Sequence, residues 1–144
     1  MSARSRFASA PRSLGLLAAG LLAGTCVPYV NPPMDEISQL SSLRETMDAQ
    51  ATITDSVWTK IDDRQYSDTD WEVLRDVGVR IQATADRSRA WSRGGLFDAY
   101  ASDLISSGAA LTSAVDERDN DLAAKALADM REACRACHTN VKGH

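Results

Sequence analysis

The sequence has few residues that interrupt helices and few that favour strands. All four prolines of the 144-residue chain lie at or before Pro33, so no later position lacks the backbone N–H that a helix needs. Aromatic residues, which are enriched in strands, make up only 6% of the chain, and strand-like alternation is scarce. Helix-forming Ala, Leu and Arg are frequent after residue 33. This composition predicts an all-α fold.

Positive charge is also scarce once the N-terminus is set apart. Three of the 16 basic residues, Arg4, Arg6 and Arg12, lie in the first thirteen positions, and all 20 acidic residues follow residue 34. The other 13 basic residues therefore leave the rest of the chain at a net charge of −7. This charge argues against nucleic-acid binding and favours protein partners with basic patches, although a solvated acidic face needs no partner. No Gly-rich phosphate loop or catalytic dyad is recognisable, so we do not predict an enzyme.

The longest apolar run lies near the N-terminus. The basic segment MSARSRFASAPRS is followed by LGLLAAGLLAG, which is too short to span a bilayer comfortably and has the pattern of a signal peptide. An uncleaved membrane anchor is the alternative. We predict a signal peptide over residues 1–25, a Pro-containing tether over residues 26–33 and one domain over residues 34–144. The predicted location is the periplasm.

Cys26 is an isolated cysteine at the end of this signal. The stretch LLAGTC resembles the cleavage box of bacterial lipoproteins, whose cysteine becomes the lipidated N-terminus, although the usual pattern is longer here by one residue. Ordinary cleavage after Thr25 would also leave Cys26 as the first residue. The segment therefore leaves open whether the mature chain is anchored to a membrane through lipid on Cys26.

Four helices are predicted after the tether. The first opens at Pro32-Pro33 and ends in the polar run 62–65, and its stripe includes Met47. The second starts with a capping box of Thr69 and Glu72 and stops at Gly94-Gly95. The third carries residues 97–115 and closes at the polar run 116–119, and the fourth runs from a cap near Asn120 to about Val141. Each helix has a stripe of residues at helical spacing that should be buried: Met47 and Thr54 on the first, Leu74, Val77 and Ile81 on the second, Leu104 and Leu111 on the third, and Leu127 and Met130 on the fourth. Short connections make sequential helices antiparallel neighbours, which predicts an up-down-up-down four-helix bundle.

This topology brings several large side chains to one end of the bundle. The starts of the first and third helices and the ends of the second and fourth lie together there, and so should Met47, Trp91, Phe97 and Tyr100. Trp58 and Trp71 should lie near the opposite end. Aromatic and Met side chains are also ordinary core residues. We interpret Trp91, Phe97 and Tyr100 as candidate walls for a large flat apolar cofactor.

The motif Cys134-Arg135-Ala136-Cys137-His138 ends the fourth helix. On a helix the two sulfurs face one side about a turn apart. This is the C-x-x-C-H signature of haem attachment, in which each thiol adds to a vinyl group of the porphyrin and the imidazole binds iron. Zinc held with His144, a redox dithiol and a plain disulfide are the alternatives. A structural zinc site draws ligands from two elements and a redox dithiol usually follows a strand, so haem explains the motif best.

With an export signal, four helices and C-x-x-C-H near the C-terminus, the chain resembles the class II c-type cytochromes, the cytochrome c prime family, over residues 34–144. The resemblance implies one haem c, with thioethers to Cys134 and Cys137 and with His138 as the proximal iron ligand. A distal Met47 would imply an electron carrier with redox partner proteins. An apolar distal face would imply a five-coordinate haem that binds nitric oxide or carbon monoxide. The family resemblance also implies a homodimer formed through the first two helices.

Overall fold

Five α-helices make up most of the described part of the chain. The computed structural model describes residues 31–63 and 65–141, so Cys26, His144, the predicted signal peptide and most of the tether lie outside it. The helices are α1 (Met34–Ile37), α2 (Leu43–Asp55), α3 (Asp68–Ser88), α4 (Gly95–Glu117) and α5 (Asn120–Asn140). Short 3-10 turns follow α2 (Trp58–Lys60) and α3 (Arg89–Trp91). No strand occurs in these residues, which confirms the predicted all-α fold.

The predicted first helix is wrong as one continuous element. It is divided into α1, α2 and the 3-10 turn after α2. The break lies at Ser42, whose backbone is extended and whose Oγ accepts a hydrogen bond from the Glu45 N–H, while the Glu45 carboxylate accepts from the Ser41 N–H and hydroxyl. Serine side chains satisfy the first N–H groups of a helix, so this serine-rich segment starts a new helix at Leu43.

The predicted limits of the second helix are also corrected. The capping box of α3 is formed by Ser67 and Asp70, two residues before the predicted pair. At its other end α3 stops at Ser88, and a 3-10 turn intervenes before Gly94. Gly94 has a φ of 107° and serves as the N-cap of α4. A side chain is strained at such a φ, so glycine suits this reversal of chain direction.

The last two helices are joined by a very short turn. Arg118 closes α4 in the left-handed conformation, and the Asp119 side chain caps α5 by accepting a hydrogen bond from the Leu122 N–H. So short a connection places α5 antiparallel to α4. The predicted end of this helix within the polar run 116–119 is confirmed. The N-cap of α5 is Asp119, one residue before the predicted Asn120.

The four long helices α2 to α5 form an antiparallel bundle. Close packing joins α2 to α3, α3 to α4 and α4 to α5, whereas α2 and α5 are not packed as closely. The contact between α3 and α4 is tightest where Gly78 meets Gly108, because a Cβ on Gly78 would lie 3.0 Å from the Gly108 carbonyl oxygen. The predicted stripes of α3, α4 and α5 form the core, which includes Leu74, Val77, Ile81, Leu104, Leu111, Leu127 and Met130.

The two ends of the bundle differ in what they bury. At one end Tyr66 packs edge-on against Trp71, with ring centroids 5.0 Å apart. The motif at the end of α5 lies at the other end, next to the starts of α2 and α4, as antiparallel helices require. Within the described residues, no helix is both long and apolar enough to cross a membrane.

Candidate functional site

The motif residues are positioned by the last turns of α5. The buried stripe of this helix contains Leu127, Met130 and Ala133, and it fixes the helix against the core. Cys134 continues that stripe, is partly buried and packs against the core. Cys137 is also partly buried, one turn further on, while His138 is more exposed to solvent. The helical spacing thus turns both thiols and the imidazole toward one opening in the bundle.

Burial disfavours the thiolate form of both cysteines. Burial raises the pKa of Cys134 to about 11, with a further contribution from Cys137, and burial also raises the pKa of Cys137. A redox dithiol reacts through its thiolate, so this shift does not favour dithiol chemistry. The two cysteines are not joined in a disulfide. Within the described residues no three His, Cys, Asp or Glu side chains are grouped so that they could hold a metal ion. The zinc, dithiol and disulfide alternatives therefore gain no support, and His144 lies outside the described residues.

The opening consists of two adjoining clefts between α2, α4 and α5. The inner cleft has a volume of about 30 Å³ and the outer cleft about 300 Å³. Four side chains line both clefts: Met47, Phe97, Cys137 and His138. The inner cleft alone is too small for a macrocycle, so side chains that line the two clefts must shift when one binds. The clefts lie on the side of the bundle where α2 and α5 are less closely packed.

The wall opposite the motif belongs to α2. Met47 lines both clefts and is partly buried, and Gln50, one turn further along, is buried and lines the inner cleft. The Gln50 Nε2 atom is buried without a hydrogen-bond partner. Sequence reasoning missed Gln50, although its position between Met47 and Thr54 on the predicted stripe of this helix could have indicated it.

The predicted aromatic walls are brought together only in part. Phe97 is buried, and both Phe97 and Tyr100 line the inner cleft, together with Leu104 of α4. The Tyr100 hydroxyl accepts a hydrogen bond of 2.8 Å from Asn140, which links α4 to the last turn of α5. Trp91 lines neither cleft. Its ring is instead covered by the Arg87 guanidinium, 4.6 Å from the ring centroid.

An all-α bundle of four long helices, with C-x-x-C-H ending the last helix and facing a cleft, defines a class II c-type cytochrome. The sequence profile of the family described as Cytochrome C' matches residues 44–142, just over two thirds of the chain, and the chain belongs to this family. No curated protein and no solved structure matches the chain significantly. Family members bind haem c with its iron, so this chain is a haem c protein, a carrier of electrons or a binder of a gas.

The chemistry of the residues that line the clefts suits haem c. Phe97, Ala101 and Leu104 provide an apolar surface for the face of a macrocycle, and the thiols of Cys134 and Cys137 lie at its edge. The unpartnered Nε2 of Gln50 provides one polar donor inside this apolar surface. Such a donor lacks a protein acceptor and is suited to one that arrives with a bound group.

Proposed function

We propose that this chain is an exported mono-haem cytochrome that transfers electrons between periplasmic proteins. One observation supports this proposal above the others: Met47 of α2 and His138 of α5 line the same two clefts from different helices. A thioether and an imidazole are the ligand pair that raises the potential of haem in electron-carrying cytochromes. The bound haem supplies an iron that gains and loses one electron.

Each role in this proposal falls to a residue at the cleft. The thiols of Cys134 and Cys137 would hold the haem through thioethers, and His138 would bind its iron through a ring nitrogen. Met47 would supply the second protein ligand to the iron. The helices α2 and α5 keep these ligands in place while the electron moves, and the acidic surface favours redox partners that carry basic patches.

The test is spectroscopic and chemical. Full-length protein matured in a periplasm should retain its haem after denaturation, and its oxidised form should give a low-spin spectrum. The reduced protein should exchange one electron rapidly with an artificial acceptor. Haem that is lost on denaturation would contradict the thioether attachment, and a high-spin oxidised spectrum would contradict the ligation by Met47.

A second function is supported by the polar side chain in the cleft. Gln50 provides a buried, unpartnered N–H on the wall opposite His138. An electron carrier whose iron keeps two protein ligands binds no further group that could accept a hydrogen bond from this donor. A haem that binds nitric oxide or carbon monoxide does bind such a group. The reduced protein should then bind carbon monoxide at low concentration. A reduced protein that leaves added carbon monoxide unbound would contradict this function.

We further propose that residues 1–25 are removed during export and that Cys26 begins the mature chain. The support is the signal-like N-terminus and the lipoprotein-like cleavage box. Intact mass spectrometry of the mature protein would test it, because lipid on Cys26 adds the mass of its acyl chains. The homodimer implied by the family resemblance is tested by sedimentation of the haem-loaded protein.

A further inference from the structure

Gln50 is the side chain in the cleft whose chemistry the electron-carrier proposal does not use. It is only 7% exposed, and its Nε2 atom is buried without a partner. No other buried side-chain nitrogen or oxygen of the described residues is left unpaired in this way. An unpaired buried donor is destabilising, because it loses its hydrogen bonds to water on folding. Such a cost calls for a ligand that supplies the acceptor.

The protein itself offers little to accept this hydrogen bond. Two residues with hydroxyl groups line the inner cleft, and neither hydroxyl is bonded to Gln50 Nε2: Ser88 Oγ donates to the Ala85 carbonyl oxygen at 2.6 Å, and the Tyr100 hydroxyl accepts from Asn140. The other α4 side chains of the cleft, Phe97, Ala101 and Leu104, are apolar. A molecule bound in the cleft would supply the acceptor that these side chains do not.

Charge decides what kind of acceptor this is. The haem carboxylates are anionic, and burying an anion beside a neutral amide is costly without a cation. The cation near the site is Arg93, which lines the outer cleft, whereas no Lys or Arg lines the inner cleft around Gln50. The acceptor that reaches Gln50 is therefore a small uncharged group.

We propose that the Gln50 Nε2–H donates a hydrogen bond to the outer atom of a diatomic ligand bound at the haem iron, opposite His138. This inference rests on the gas-binding function proposed above. Met47 lies one turn nearer the start of α2 and lines both the inner cleft, where Gln50 lies, and the outer cleft. Its sulfur would therefore compete with the diatomic ligand for the iron. Gln50 favours the diatomic ligand in that competition and selects ligands whose outer atom accepts a hydrogen bond.

The test uses the full-length, haem-loaded protein with carbon monoxide and nitric oxide as probes. Gln50→Leu removes the donor at similar size, Gln50→Glu replaces the N–H by a carboxylate oxygen, and Gln50→His restores an N–H. Thr54→Val is the matched control, because Thr54 is buried on the same helix and its hydroxyl is already bonded to the Gln50 backbone carbonyl. The readouts are the infrared C–O stretching frequency of the reduced protein and the dissociation rate of nitric oxide.

We expect the C–O frequency to rise in the Leu and Glu variants and to return toward the unaltered value in the His variant. Loss of one hydrogen bond should speed nitric oxide dissociation about three- to tenfold. Thr54→Val should change neither readout. Equal C–O frequencies in the unaltered protein and in both donor-free variants would overturn the inference.

Each variant is also made together with Met47→Leu, which leaves the iron position free of the thioether. If the unaltered protein does not bind carbon monoxide but the Met47→Leu variant does, the gas-binding function fails. The Gln50 variants made together with Met47→Leu then still test the hydrogen bond. If neither background binds carbon monoxide, the inference fails as well. A purely structural Gln50 would show lowered thermal stability in Gln50→Leu with an unshifted C–O band, and this result would overturn the inference.

Discussion

Met47 is the residue on which the choice between the two proposed functions depends. If its sulfur binds the iron, Met47→Ala should convert the oxidised haem from low spin to high spin and lower the reduction potential, because thioether ligation raises it. The change is measured by electronic absorption and by redox titration of the haem-loaded protein.

Met34→Leu is the matched control for that experiment. Met34 begins α1, is 42% exposed and lines neither cleft. Its substitution should leave the spectrum and the potential unchanged. A high-spin spectrum in the unaltered protein that stays the same in Met47→Ala would exclude Met47 as an iron ligand.

At the other end of the bundle, the carboxyl pKa of Asp70 is strongly lowered. Hydrogen bonds from Lys60, whose Nζ lies 2.5 Å away, and from Ser67 lower its pKa from 3.8 to about 2. Because the folded-state pKa is depressed, this contribution to stability is complete above pH 3.8 and is lost as the pH falls toward 2. Lys60→Met should raise the Asp70 pKa, as measured by carboxyl ¹³C NMR titration.

The control for Asp70 is Lys125→Met, which removes another lysine–aspartate pair. Lys125 lies 2.5 Å from Asp129 on the exposed surface of α5 and has no contact with Asp70. The Lys125→Met substitution should leave the pKa of Asp70 unchanged. An Asp70 that titrates near pH 3.8 in the unaltered protein would show that the Lys60 contact is not formed in solution.

The crossing of α3 and α4 depends on two glycines. A Cβ on Gly78 would lie 2.8 Å from Thr112 Cγ2, and one on Gly108 would lie 2.9 Å from the Gly78 carbonyl oxygen. Because backbone atoms cannot move aside cheaply, Gly78→Ala and Gly108→Ala should each lower the free energy of unfolding by about 1–3 kcal/mol. Denaturant unfolding of the haem-loaded protein measures this change.

Gly95→Ala provides the comparison within the same helix. Gly95 is the first residue of α4, and a Cβ there would meet nothing within 4 Å. Alanine should therefore be neutral or slightly stabilising, since it reduces the freedom of the unfolded chain. If all three substitutions had the same effect, the close approach of α3 and α4 would not be what stabilises this crossing.

The helices show which local features a sequence pattern can predict. Apolar spacing correctly predicted the buried stripes of α3, α4 and α5, including Leu74, Leu111 and Leu127. It was wrong for the first helix, because serine capping at Ser42 outweighs a stripe that continues through the break. Residues one or two positions apart can each cap a helix, whereas an apolar stripe is averaged over several turns. Helix ends are therefore less predictable from sequence than helix faces.

The whole molecule is acidic, and this charge should govern how fast it exchanges electrons. Reduced protein should react with a cationic oxidant such as tris(phenanthroline)cobalt(III) at a rate that falls severalfold between about 0.01 and 0.1 M salt, as the Debye length shortens from about 30 to 10 Å. With anionic ferricyanide the rate should rise with salt. Stopped-flow kinetics measures both rates.

Asp103→Asn tests whether the acidic surface at the motif end of the bundle contributes most to the rate of electron exchange. Asp103 lines a groove between α4 and α5 beside Tyr100, which also lines the inner cleft. Its neutralisation should slow the cationic reaction more than Asp62→Asn does, because Asp62 follows the 3-10 turn near the Tyr66–Trp71 end. An equal effect of the two substitutions, or the same salt dependence for both oxidants, would contradict electrostatic guidance toward this end.

The haem-attachment motif could be recognised from a local stretch of chain. Cys134, Cys137 and His138 are close in sequence, so helical spacing alone sets their common face, and short connections alone set the antiparallel order of the helices. Residues from different helices meet only through packing. How the four helices rotate against one another decides three features: Gln50 lies across the cleft from the motif, Trp91 lies away from the clefts, and α2 and α5 are less closely packed. That rotation follows from the summed fit of many side chains, such as the close contact of Gly78 with Gly108, and no single segment of the sequence encodes it.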